Sequence, residues 1–275
     1  MEYYDYWNKE YVINKKYKLK GFSRGGLRTG FILLPHNIFL DAGVPTPIKP
    51  NMILITHGHQ DHIDSLYNHF IDNEEKTPVI GNINLLTFLQ NYLDSCKSVN
   101  AMKKCKFTNW IPYPIINEKT ITICNTQYFI KAYNLDHEVE TFGYGLQEIR
   151  NKLKEEYIGF SQDSIEKLKN DQIQITESKK FPLLFFCGDM GHTSLETLPF
   201  EDYPLFIIEC SFLDPEHIKE ARAKQHLHIT DLIPYVEKYK ETQFIFIHFS
   251  CRYNKSMIKQ YQTKFNYLTN LLFWI

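Results

Sequence analysis

Three histidines and an aspartate fall within six positions of "THGHQDHID" (56–64), directly after the apolar run "NMILI". His57 and His59 are two apart on what reads as extended chain, so their side chains project to the same side and can grip one cation. Asp61 and His62 follow a turn later, at the start of an expected helix, and can face the same cavity toward a second cation. Imidazole and carboxylate donors of this kind suit zinc, and less specifically manganese or iron. His69, one turn beyond the cluster, reads as a helix-surface residue.

These groups need a frame. Strand-like runs are "TGFILL", "NIFLDAG", "MILI", "TITIC", "YFIKAY", "TFGYGLQE", "PLLFFCGD", "YPLFIIECSF" and "QFIFIHF", apolar or alternating and bounded by turn residues. Helices are expected over 62–72, around "NINLLTFLQNYL", over 161–170 with Ser161 as N-cap, over "ITDLIPYVEKY" and over a closing "SMIKQYQTKFNYLTNLL". Strands dominate each half and helices punctuate them. That pattern predicts sheet layers with helices packed outside, an α/β sandwich in a single domain over 1–275.

Composition narrows the function. The chain has 275 residues, 43% apolar, with a net charge of −1. That is a globular composition, and it argues against broad electrostatic wrapping of nucleic acid while leaving room for a local basic groove. The N-terminal stretch has no apolar segment of signal-peptide length, and no run approaches the ~20 apolar residues of a membrane span. A cytoplasmic protein without membrane contact is expected. The six cysteines form no CxxC pair and are read as reduced thiols, with Cys187, Cys210 and Cys251 as small core residues.

The pattern H-x-H-x-D-H after a short apolar strand resembles the metallo-β-lactamase superfamily. The resemblance implies an αββα four-layer sandwich and three further ligands, each at the end of a later strand. His137 after "YFIKAYNLD", Asp189 after "LLFFCG" and His248 after "FIFI" supply them. By the same resemblance, His57, His59 and His137 hold one metal, Asp61, His62 and His248 the other, and Asp189 bridges the two. The implied cofactor is a pair of Zn2+ ions, with Mn2+ as the alternative, serving hydrolysis.

Further blocks are similar to ribonuclease Z. They are "FSRGGLRTGFILLPHNIFLDAG" (22–43), "HEVETFGYGLQE" (137–148), "IIECSF" (207–212), "HLHIT" (226–230) and "IHFSCRY" (247–253). This branch implies cleavage at the 3′ side of precursor transfer RNA, or of a related phosphodiester, and a homodimer. Carried over, Glu209 orients His228, which protonates the leaving oxygen, with His226 as the near competitor; Asp61 orients or deprotonates the attacking water. Arg24, Arg28 and Arg252 are candidate phosphate contacts. The family's Gly-Pro-rich, transfer-RNA-binding arm has no evident counterpart in the charged stretch 148–180, which reads as a solvated helical face. "GDMG" stands where the family usually has Gly-Asp-Thr, so a threonine hydrogen bond is absent and Met190 is expected to crowd the site. Two other functions are weighed: hydrolysis of a small thioester or lactone at the same metals, and a non-catalytic scaffold, which would have no need of seven placed ligands.

Overall fold

A computed structural model of the chain describes residues 6–71, 73 and 75–275. Two seven-stranded sheets face each other, and each runs through the chain in strand order. The first contains β1 (Glu10–Val12), β2 (Lys18–Arg24), β3 (Arg28–Leu34), β4 (Ile38–Leu40), β5 (Met52–Leu54), β6 (Thr77–Gly81) and β7 (Trp110–Pro114). The second contains β8 (Glu118–Ile123), β9 (Thr126–Leu135), β10 (Thr141–Leu153), β11 (Thr176–Phe186), β12 (Leu205–Glu209), β13 (Gln243–Ile247) and β14 (Leu271–Phe273). In each sheet the first three pairings are antiparallel and the last three parallel. The two halves therefore repeat one topology that no sequence repeat announces.

Alternation along the strands builds the layers. Leu205 and Ile207 of β12, and Ile245 and Ile247 of β13, point between the sheets, where they meet Phe31, Leu54 and Tyr144. Their neighbours Phe206, Ile208, Phe244 and Phe246 point the other way, toward Leu232, Val236 and Ile258. On the first sheet Met52 and Leu54 face inward while Ile53 and Ile55 face Leu66, Phe70, Leu85 and Leu89. A strand of period two that is apolar on both sides must be covered twice. The outer covers are α1 (Gln60–Ile63), α2 (Leu66–Phe70) and α3 (Ile83–Ala101) on one sheet. On the other they are α6 (Ile229–Lys238) and α7 (Lys255–Lys264). The result is the α/β four-layer sandwich expected from the sequence.

The structure departs from the sequence reading in four places. The single helix expected over 62–72 is broken into α1 and α2, and residue 72 lies outside the described residues. The closing helix stops at Lys264, and the chain returns to the second sheet as β14. Cys187 and Cys210 are buried, but Cys251 is exposed. Finally, 148–180 is not one solvated helical face. β10 and β11 pair out to Leu153 and Thr176, with one register shift between Leu146 and Gln147. They project as a hairpin whose tip carries α4 (Gln162–Asn170), capped by Ser161 as expected. The short α5 (Ile218–Ala223) completes the helices among the described residues.

Candidate metal centre

The ligand candidates converge because the ends of both sheets meet at one edge. β5 runs into Thr56 and His57, β9 into Asp136 and His137, β11 into Asp189, and β13 into His248. The segment bearing Asp61 and His62 is held against the loop after β4. Ala42 N donates to His62 O (2.8 Å) and Ser65 N to Ala42 O (2.9 Å). A Cβ on Gly43 would sit 1.8 Å from Asp61 O, so only glycine allows that approach. Asp41 and His248 both take a left-handed backbone, φ 58° and 61°. Such a conformation is costly in a histidine and persists where the surroundings enforce it. Here His248 N donates to Ser23 Oγ (3.0 Å), and Ser211 Oγ lies 3.1 Å from His248 O.

The geometry gathers potential ligand atoms of His57, His59, His137 and Asp189 in one group within 4.8 Å of each other, and those of Asp61, His62 and His248 in a second. Asp189 stands between them, with Oδ2 3.7 Å from His57 Nε2 and 3.3 Å from His248 Nε2, and Oδ1 3.5 Å from His62 Nε2.

Hydrogen bonds on the far side of each ring fix its tautomer. Thr56 Oγ1 donates to Asp41, so it accepts from His57 Nδ1 (3.0 Å). His62 Nδ1 donates to Asp41 Oδ2 (2.7 Å), His137 Nδ1 to Gln225 O (3.0 Å) and His248 Nδ1 to Ser211 Oγ (2.9 Å). Each neutral ring is left with a bare Nε2. Among buried atoms, His57 Nε2 has no hydrogen-bond partner at all. His62 Nε2 faces His248 Nε2 at 3.4 Å, and His137 Nε2 faces His59 Nδ1 at 3.4 Å.

Bare ring nitrogens crowded beside the carboxylates of Asp61 and Asp189 favour positive charge in the gap. Charge on the groups responds accordingly. Burial and the neighbouring His62 push His57 well below the ordinary imidazole range. Burial opposes charge on His62 as well, yet Asp189 and Asp41 draw it well above that range. Burial also opposes the Asp61 carboxylate, but His248 and His62 hold it down to about 2. The donor set therefore fits divalent metal ions.

Beside the ligands lies a second constellation. Glu209 is fully buried at the end of β12. Its Oε1 accepts from His226 Nδ1 (2.8 Å) and from Met190 N (2.8 Å), and its Oε2 accepts from Ser211 Oγ (2.6 Å). The His226 ring stacks at 5.5 Å from that of His248 and lies near Asp189. Burial disfavours imidazolium at His226, but Glu209 outweighs it and raises the group to about 9.

His228 does not share in this. It is the N-cap of α6, where Nδ1 accepts from Thr230 N (3.2 Å) and Nε2 donates to Asp214 O (3.0 Å). Both ring nitrogens are used in building the helix start. The expected pairing of Glu209 with His228 is thus replaced by Glu209 with His226.

Other expectations shift too. Arg24 donates to the carbonyls of Ser250 and Tyr253. Arg28 bonds Gly43 O (2.8 Å) and pairs with Asp64 (2.6 Å). Arg252 forms a bidentate pair with Glu220 (2.8 and 2.7 Å). All three are thus engaged within the fold. Met190 does not crowd the centre, because its side chain is buried in the outer apolar layer with Leu135 and Phe185. His69 is buried, not on the surface, and neither ring nitrogen has a partner. Asp41, Thr56 and Ser211 were missed as site residues, although each directly follows or precedes an apolar strand run in the sequence.

Comparison with known proteins agrees with this fold. tRNase Z TRZ1 of Arabidopsis thaliana is 28% identical over 262 residues, covering 88% of this chain and 89% of that protein. The metallo-β-lactamase fold protein YhfI of Bacillus subtilis superposes with a TM-score of 0.60 at 12% identity, covering 92% of this chain and 93% of its own. The short form of human tRNase Z gives 0.58 at 13%, covering 92% and 94%. No family model matches the chain. The fold is that of metallo-β-lactamase fold proteins. In sequence the chain is similar to tRNase Z, and its His/Asp cluster fits a metal-dependent hydrolase.

Proposed function

We propose that this chain is an endoribonuclease cutting at the 3′ side of precursor transfer RNA. It would hold two divalent ions, zinc before manganese. His57, His59, His137 and Asp189 would bind one, and Asp61, His62, His248 and Asp189 the other. When bound, such a pair supplies Lewis-acid stabilisation of the phosphate and a water activated for in-line attack. The chain's own groups do the rest. Asp61 Oδ2, fixed by Gly26 N at 2.9 Å, orients the attacking water. His226 protonates the leaving 3′ oxygen, while Glu209 fixes its other nitrogen and favours the charged ring.

The observation that carries this reading is the Glu209–His226 pair beside the ligand cluster. An alkoxide leaving group needs a dedicated acid, whereas a thiolate does not. The pair thus favours a phosphodiester over a thioester. The relatives named tRNase Z support RNA as the substrate. The β10–β11 hairpin, with exposed Ile158 and Phe160 near its tip, is assigned to gripping the RNA away from the cut, as the family's arm does. A homodimer is proposed with it. The experiment is cleavage of precursor transfer RNA beside bis-p-nitrophenyl phosphate. Cleavage of both is expected, and cleavage of the second alone would reduce the protein to a general phosphodiesterase.

A further inference from the structure

A cavity of about 740 Å³ opens on the far side of the β2–β3 turn from the metal centre. The turn is a shared wall. Gly26 N reaches Asp61 on one face, while Arg24 and Leu27 line the cavity on the other. The volume is that of a small-molecule site.

Its lining is selective. Lys9, Arg24 and Lys255 contribute three cations, and among the described residues no Asp or Glu side chain takes part, the last residue, Ile275, also lining the cavity. None of the three forms an ion pair with a carboxylate among the described residues. Arg24 donates only to backbone carbonyls. Lys9 donates to Phe273 O (3.0 Å) and sits 4.8 Å over the Trp274 ring. Burial, together with the neighbouring charge of Lys255, lowers Lys9 to about 8. The open aromatic walls are the half-buried Tyr6 and Phe22, which meet edge to face at 4.7 Å, while Trp274 is buried behind Lys9 and donates Nε1 to Gly21 O (2.9 Å).

We propose that this cavity binds a nucleotide, its base against the aromatic walls and its phosphate among Lys9, Arg24 and Lys255. Uncompensated cations beside a fixed aromatic platform match a ligand that carries both an anion and a flat ring. A nucleotide of an RNA strand and a free mononucleotide share that chemistry, and only the first source rests on the RNA-processing reading above.

The test is calorimetric titration of metal-loaded protein with UMP, uridine and ribose 5-phosphate. UMP is expected to bind saturably, with each fragment at least about tenfold weaker, the loss of one charge-assisted contact or one stacked ring. The double variant Lys9→Gln, Lys255→Glu should weaken UMP binding by about tenfold or more. It should still hydrolyse bis-p-nitrophenyl phosphate at the parent rate, which shows an intact fold and centre. If UMP raises the KM for precursor RNA and the double variant does the same, the occupant is part of the RNA strand. If the KM for RNA is unmoved while UMP binds, the occupant is a free nucleotide. No saturable binding up to millimolar UMP overturns the proposal. So does UMP binding unaffected by the double variant, which would put the nucleotide at the metals, or ribose 5-phosphate binding as tightly as UMP, which would mark a plain anion site.

Discussion

Glu209 Oε1 accepts from His226 Nδ1 at 2.8 Å, whereas His228, two residues on, turns both ring nitrogens into the start of α6. The two histidines should therefore fail differently. His226→Ala is expected to lower turnover on RNA by roughly 10²–10⁴, the usual range for a positioned general acid, with metal content retained. On nitrophenyl esters, whose leaving group needs little protonation, the loss should be far smaller. Loss of metal from His226→Ala, measured by elemental analysis, would make that ring a ligand and not the acid.

His228→Ala should act on stability. It removes the acceptor for Thr230 N and the donor to Asp214 O, so urea unfolding should show a loss of about 1–2 kcal/mol. His228→Asn, which keeps a capping acceptor, should recover part of it. A turnover loss in folded His228→Ala as large as that of His226→Ala would overturn the assignment.

Ser211 ties the acid to the metal site, because its hydroxyl donates to Glu209 Oε2 at 2.6 Å and accepts from His248 Nδ1 at 2.9 Å. Ser211→Ala should weaken metal affinity by about 10–100-fold, as expected for a lost partner behind a ligating imidazole. Ser211→Thr should restore it. Competition with a chelator measures the change, and an unchanged affinity would show that His248 is oriented without Ser211.

Purified protein should carry about two divalent ions per chain, and Asp189→Ala should lose most of both, since Asp189 stands between the two groups. Retention of one full equivalent by Asp189→Ala would show that the carboxylate serves one site only.

His69 predicts acid sensitivity with a definite sign. Burial holds its pKa near 3, against 6.5 for an ordinary histidine. Between those values the unfolded chain takes up a proton that the folded chain refuses, so stability is present above pH 6.5 and falls as pH drops toward 3. Each pH unit in that window costs up to about 1.4 kcal/mol. In chelator, His69→Leu should lose about 2–3 kcal/mol less than the parent between about pH 7 and about pH 4.5. Parallel losses in the two proteins would mean that His69 is protonated in the folded state.

The ligands were legible because their signals are local. A histidine or aspartate closing an apolar run shows itself wherever it falls, and the segments after β5, β11 and β13 each do so. The acid was not legible. His226 and His228 are also two apart, so strand alternation gives both the same side, and only the helix start separates them. Asp231, three residues after His228, donates nothing but accepts from His228 N at 2.9 Å; this capping box was the available clue. The β10–β11 hairpin was hidden because beyond Glu148 its strands are half-buried or exposed on both faces and carry no period-two apolar pattern. β14 is only three residues long and follows a helix without a break in composition.

The candidate ligands come from both sheets, and the first and last of them, His57 and His248, are far apart in the chain. A ribosome making this protein therefore releases His57 and its neighbours long before His248 exists. No partial product can close the centre. It assembles only when the second sheet docks on the first, so the wiring of the fold itself acts as a safety catch during synthesis.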